Sequence, residues 1–470
     1  MRNIKIFTAF SGYDSQCMAL DKAGIGYELV GTSEVDKYAI VANDAVHGDE
    51  NTPIPNWDVE RKQSWLESRN IGFDYKKGKN TLKRNEVEAL FAACVRLKNH
   101  GDVSLINPNS LGSIDLFTYS FPCQDISLAG KGKGLGKDTG TRSGLLWECL
   151  KIIKATKPRA LMMENVKNLV GKKFMPDFLE WCKELEELGY KNYWQVLNAK
   201  DYGVPQNRER VFMFSLLGGS EYVFPEKEPL ELRLKDILED TVDDKFYLSE
   251  KIIKGFTAHK NRHIEKGTGF KWIPKDLEKD DVANCLRANA ALCPTDNTIR
   301  VCDSIVGKVK SGGERSFVLD KNGITGSLSA TDYKDPKKIL EYDDDEVNQI
   351  IVKEATKKGY AIATVGDSIN LEQPNSKTRR GRVGKGVAQT LTTSCNQDTL
   401  EPPFKIRKLT PLECFRLMGV TDEDFYKIKN RLNEVFHKGA DRSNSQLYKL
   451  AGNSIVVDCM EKMFKKLCKK

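Results

Sequence analysis

The stretch Ser120-Phe121-Pro122-Cys123-Gln124 places a thiol directly after an apolar run, Ile114-Asp115-Leu116-Phe117-Thr118-Tyr119. The run reads as a buried strand, and the residues that follow are rich in Gly and Lys. Cys123 therefore stands where a rigid element gives way to a loop, a position suited to a nucleophile. The thiolate is the reactive form, and a thiol of ordinary pKa near 8.5 is only about 3% ionised at pH 7. Neighbouring cations or a helix N-terminus must supply the remaining activation. Two further motifs offer the partners such a sulfur needs. Glu164-Asn165-Val166 closes a second apolar strand, and Gln206-Asn207-Arg208-Glu209-Arg210 opens a third. A carboxyl can give or take a proton, and arginines supply fixed positive charge where negative charge develops.

These motifs need a scaffold, and the chain around them has its periodicity. Apolar runs at 4–10, 29–33, 114–119, 160–163, 193–197 and 211–216 predict strands. Phe178, Trp181, Leu185 and Leu188 recur at helical spacing and stop at Gly189. A second helix is expected over 144–153, ended by Lys157-Pro158. Strands alternating with helices imply an open, mostly parallel sheet covered on both faces. Ligands of such sheets bind beyond the strand C-terminal ends. Over 219–404 the helical stripes fade and short β-like runs alternate with turns. From 405 the helical texture returns, with Thr410 as N-cap, Pro411 behind it and Glu413 three residues on. A last helix is expected over 455–467. The expected domains are 1–218 plus 405–470, and 219–404.

Bulk composition narrows the class. With 470 residues, 40% apolar and 30% charged, the chain reads as a soluble protein of two domains. No apolar run approaches the ~20 residues that span a bilayer. The first residues enter a strand pattern at once and leave no room for a signal peptide, so the expected location is the cytoplasm, with no membrane partner. Lys plus Arg is 74 against 66 for Asp plus Glu, a net +8 compatible with nucleic acid. The 12 cysteines include no Cys-x-x-Cys pair, which argues for free thiols. His259 and His263 read as a solvated pair, and no metal is expected.

The order and spacing of the three motifs resemble the DNA (cytosine-5) methyltransferase family, over 1–218 and 405–470. The resemblance implies an α/β, Rossmann-like S-adenosylmethionine-dependent methyltransferase fold with an inserted, mostly β or irregular target-recognition domain. It implies methylation of C5 of a cytosine flipped out of double-stranded DNA, with S-adenosyl-L-methionine as cofactor. Cys123 would add to C6 of the ring, and Glu164, protonated, would donate to N3. Arg210 would point at O2, while Arg208 would support loop or backbone. No side chain declares itself as the base that removes the C5 proton.

By the same resemblance, Phe10-Ser11-Gly12 turns against the cofactor and Glu34 holds its ribose. Val35 makes an apolar contact to adenine where the family often carries an aromatic ring. Asp102 resembles the acceptor for the adenine amino group, and Leu145, Asn453 and Ser454 resemble further contacts. Asp14 and Ser15 depart from the glycines usual at this turn.

Extruding a base costs a few kcal/mol. The segment 129–142 suits that task, with its glycines and with Lys131, Lys133, Lys137 and Arg142 to meet phosphates. Gln124 and Ser127 are expected on the DNA side of the same loop. A phosphate-cradling P-loop is excluded, because Gly136-Lys137 is followed by Asp138. Farther on, Arg379, Arg380 and Arg382 lie in a stretch without an acid, and Thr390-Leu391-Thr392 resembles an element of the family's target-recognition domain. Phosphate and base-edge contacts are expected from both. A monomer suffices for base flipping, and a cognate restriction endonuclease is a candidate partner. Two alternatives stand beside this reading. One is an RNA cytosine-5 methyltransferase, separated by assay on tRNA against duplex DNA. The other is a non-catalytic DNA-binding regulator, which would shift DNA in a gel without transferring methyl groups.

Overall fold

Six of the apolar runs form one sheet in the computed structural model of the chain. In chain order the strands of this region are β1 (Ile4–Ala9), β2 (Tyr27–Ser33), the short hairpin β3 (Phe73–Asp74) and β4 (Lys79–Asn80), β5 (Leu116–Tyr119), β6 (Ala160–Val166), β7 (Tyr190–Asn198), β8 (Gln206–Asn207), β9 (Glu209–Leu217) and β10 (Ala283–Asn284). The large sheet has the order β2-β1-β5-β6-β9-β7. Neighbours from β2 to β6 run parallel, and β9 lies antiparallel between β6 and β7. The structure describes residues 3–75, 77–122, 126, 143–247, 281–286, 297–302, 404–468 and shorter stretches between 249 and 399.

Central strands of a parallel sheet are covered on both faces, so they read as unbroken apolar runs. β5 follows that rule, with all four residues buried. Helices α1 (Ser15–Ala23), α2 (Lys37–His47), α3 (Val59–Glu67), α4 (Val87–Arg96), α5 (Leu146–Thr156) and α6 (Met175–Glu187) come from the first half of the chain. The apolar stripe of α6 buries Phe178, Trp181, Cys182 and Leu185 in a core shared with Phe117, Tyr119, Met163 and Met213. Near the far end of the sequence come α7 (Pro411–Arg416), α8 (Asp422–His437), α9 (Asn444–Asn453) and α10 (Val457–Cys468). Thr410 caps α7 with the expected box, its hydroxyl on the Glu413 amide and the Glu413 carboxylate on the Thr410 amide. Among the described residues no helix is long and apolar enough to cross a membrane.

Contacts divide the chain into two units, one of Met1–Asp243, Lys254–Asn297 and Leu409–Lys470, the other of Asp244–Ile253 and Thr298–Lys408. This differs from a division at 218 and 405. The reason is backbone pairing that composition does not reveal. β10 pairs in parallel with β8, and the Leu234 amide donates to the Asp281 carbonyl at 2.8 Å. The Glu239 amide donates to the Glu413 carboxylate at 3.0 Å. Residues 219–243 and 281–297 thus belong with the sheet. Among the described residues of the second unit, Thr298–Cys302 pairs antiparallel with Phe404–Lys408, Ile305–Ser311 with Glu314–Asp320, and Gln349–Lys353 with Tyr360–Thr364.

Candidate active site

Glu164 lies near the C-terminal end of β6 and is 6% exposed. Two strand pairings decide what surrounds it. Tyr119 of β5 sits opposite Met163, so Ser120 falls beside Glu164 and its hydroxyl donates to Oε2. Val166 sits opposite Arg210 of β9, and Arg210 Nε lies 3.2 Å from Glu164 Oε1. An acid and a fixed cation are therefore held together on neighbouring strands, as the motifs required.

The next residues hold the chain that follows β5. Asn165 Nδ2 donates to the Phe121 carbonyl at 2.9 Å, and Asn168 Nδ2 donates to the Ile126 carbonyl. Phe121 and Ile126 are themselves buried, at 2% and 0% exposure. The chain is thus tied down on both sides of Cys123. Cys123 itself, with Gln124, Ser127, Lys131, Lys133 and Arg142, lies outside the described residues, as do Arg379, Arg380, Arg382 and Thr390.

Arg208 and Arg210 stand two residues apart but do different things. Arg208 is buried and donates to the backbone carbonyls of Leu286 at 3.2 Å, Gly452 at 3.1 Å and Ser454 at 2.6 Å. Gln206 is equally enclosed: its amide nitrogen donates to the Leu417 carbonyl at 2.7 Å, and its Oε1 accepts from the Leu286 amide at 3.1 Å. Three segments distant in sequence meet at these two side chains. Arg210 faces the carboxylate instead, which leaves it the arginine able to act on a substrate. One group here carried no sequence signal. Cys285, just past β10, accepts from Arg208 Nη1 at 3.4 Å and Arg210 Nη2 at 3.7 Å. Burial alone would raise its thiol, but the two guanidinium groups outweigh burial and hold it below its ordinary value.

The other candidate residues gather at the ends of β1 and β2. Phe10 and Gly12 both have positive φ, 56° and 58°, so the turn folds its amides inward. The Gly12 amide donates to Glu34 Oε2 at 3.0 Å, while the Val35 and Asp36 amides donate to Oε1 at 2.9 and 2.8 Å. Burial and the nearby Asp36 carboxylate push the Glu34 carboxyl above its usual range. Asp102 accepts from the Ser104 amide, the Ser104 hydroxyl, Asn70 Nδ2 and the Tyr75 hydroxyl. Burial alone would raise its carboxyl; these donors reverse that and hold it low. Leu145 packs on the core just before α5, and Asn453 ends α9 with its side chain exposed. The Ser454 hydroxyl lies 3.1 Å from that of Ser15, joining the end of α9 to the first turn of α1.

A profile of the C-5 cytosine-specific DNA methylase family matches residues 68–469. The chain belongs to this family. The methylase is 44% identical over 474 residues to the type II methyltransferase M2.ScrFI of Lactococcus lactis subsp. cremoris, with 99% of each chain covered. It is 34% identical over 275 residues to the orphan methyltransferase M.SssI of Spiroplasma monobiae, a match covering 55% of this chain and 71% of that protein. Of the solved structures, a mutant DNMT2 of Spodoptera frugiperda matches with a TM-score of 0.51 at 14% identity, covering 99% of both chains. The Dnmt2 methyltransferase of S. pombe matches with a TM-score of 0.50 at 13% identity, over 99% of this chain and 98% of that one. These structures share the α/β fold of S-adenosylmethionine-dependent methyltransferases. The methylase uses S-adenosylmethionine to methylate cytosine in DNA at C5.

The residues of the methylase fit that cofactor. Glu34 Oε2 has one protein donor among the described residues and is placed to accept from a ribose hydroxyl. At the same turn, the Ser11 hydroxyl is buried without a hydrogen-bond partner among the described residues, as expected of a group that awaits a polar ligand. Asp14 is the departure. It is fully buried in a left-handed turn with φ 59°, and the Thr8 hydroxyl donates to its side chain at 2.8 Å. Burial raises its carboxyl to about 6. A folded pKa above the unfolded value of about 3.9 means that the folded methylase binds the extra proton between pH 4 and 6. Stability should therefore rise as pH falls through 6, by up to about 3 kcal/mol from this group. Urea unfolding at pH 7.5 and pH 5 checks this: Asp14→Asn should flatten the dependence and unfold later than wild type at pH 7.5.

Proposed function

We propose that the methylase extrudes a cytosine from duplex DNA and modifies it through a covalent bond to Cys123. The arrangement of Ser120, Glu164 and Arg210 carries this reading. Addition of the Cys123 thiolate to C6 drives an electron pair through the ring toward N3 and O2. Glu164, protonated, delivers its proton to N3, and the Arg210 guanidinium stands where O2 charge develops. Their side chains are only 7% and 17% exposed, so both groups act with little competition from water. The ring, now electron-rich at C5, takes up the methyl group that S-adenosylmethionine supplies. Loss of the C5 proton to a base and expulsion of the Cys123 thiolate restore the aromatic ring, and the N3 proton returns to Glu164.

Asn165 and Asn168 support the sulfur by fixing the backbone on either side of it. We assign target recognition to the unit containing 298–408, whose basic stretch at Arg379, Arg380 and Arg382 suits phosphate contacts. The reading includes a monomer acting in the cytoplasm. Because a relative matched along 99% of both chains is named a type II methyltransferase, it also includes protection of DNA from a cognate endonuclease.

Bisulfite sequencing of DNA from cells expressing the protein tests the activity and reads out the target site. Converted cytosines throughout, with the protein folded and present, would rule the activity out.

A further inference from the structure

The acceptor capacity of Asp102 is full. A carboxylate offers about four lone-pair sites, and here each oxygen takes two donors: Ser104 amide and hydroxyl on Oδ1, Asn70 and Tyr75 on Oδ2. A ligand amine can reach this carboxylate only by displacing one of them. The Ser104 donors belong to the turn that Asp102 itself caps. Asn70 is held in a left-handed turn, φ 56°, directly after α3. Tyr75 differs, since it follows β3 at the tip side of a two-residue-paired hairpin and its ring is 45% exposed. The stem of that hairpin is pinned to the cofactor end: the Gly72 amide donates to the Val35 carbonyl at 2.9 Å. Phe73 packs edge-on against Tyr75 with ring centroids 5.0 Å apart.

We propose that Tyr75 is the movable aromatic cover of the adenine end of the cofactor site, its hydroxyl holding Asp102 in the free enzyme and yielding that oxygen to the adenine amino group on binding. The inference rests on the assignment of Glu34 and Asp102 to the cofactor. Val35 presents no ring, so a base lying beside it has an open face. A ring anchored by a hairpin that touches both Val35 and Asp102 can lie on that face, and a phenol is an apolar plate with one polar handle.

Calorimetric titration of the full chain with S-adenosylhomocysteine tests the proposal, using wild type, Tyr75→Phe, Tyr75→Ala and Glu34→Ala. Losing the ring in Tyr75→Ala should weaken binding about tenfold, the scale of one base–aromatic stack. Tyr75→Phe keeps the ring and removes the competitor for Asp102, so it should bind no more weakly than wild type. Wild-type affinity in Tyr75→Ala overturns the proposal, and so does a Tyr75→Phe as weak as Tyr75→Ala. Undiminished binding in Glu34→Ala overturns the underlying site assignment instead. Half exposure of Tyr75 makes misfolding of its variants a minor concern, and their thermal unfolding checks it.

Discussion

Cys123→Ser is expected to bring methyl transfer down to background, a loss of at least roughly 10³-fold. A serine hydroxyl is far less acidic than a thiol and cannot supply the anion that attacks C6. The loop should keep its place, because Asn165 and Asn168 hold the carbonyls of Phe121 and Ile126. Binding of S-adenosylhomocysteine should therefore survive. Transfer of labelled methyl groups to duplex DNA measures the loss. Trapping on a duplex with 5-fluorocytosine at the target separates the roles, since wild type should form a stable adduct and the serine variant none. A serine variant that turns over normally would place the nucleophile elsewhere.

Arg208→Ala should have the largest effect on stability. It leaves three carbonyls without their shared donor, those of Leu286, Gly452 and Ser454, two of them in fully buried contacts. Hydrogen bonds to a charged group are worth about 1.5–3 kcal/mol each, and the losses are not additive, so a drop of at least about 3 kcal/mol is expected. Arg208→Lys should recover little, since a single ammonium cannot reach three acceptors spread over two segments. Urea unfolding followed by tryptophan fluorescence gives the value. An unchanged midpoint would show that the segments are held together by packing alone.

Much of the scaffold was legible because its signals are periodic and local. All six runs of the large sheet lie where apolar runs predict strands, and the Thr410 box announces α7. Glu164 and Arg210 were legible because both sit on those strands, so the pairing that places one also places the other. Asn165 and Asn168 looked commonplace, and their use depends on carbonyls more than forty positions upstream. Cys285 and Tyr75 gain meaning only through partners that spacing does not disclose. The limits of the two contact units were not legible for a related reason: β8 and β10 are two residues each, too short to leave a pattern. Asp102 is the mixed case. It drew notice as an acceptor, but its crowded set of donors could not be read from the sequence, because Asn70 reaches it from the turn after α3 and Tyr75 from a hairpin with little apolar periodicity.

The meeting of Arg208 with Ser454 spans 246 positions. Ribosomes add about 5–20 residues per second, so the guanidinium emerges tens of seconds before its final acceptors exist. A nascent polypeptide cannot finish the junction, and a chain cut short before Gly452 lacks two of the three carbonyls that Arg208 gathers.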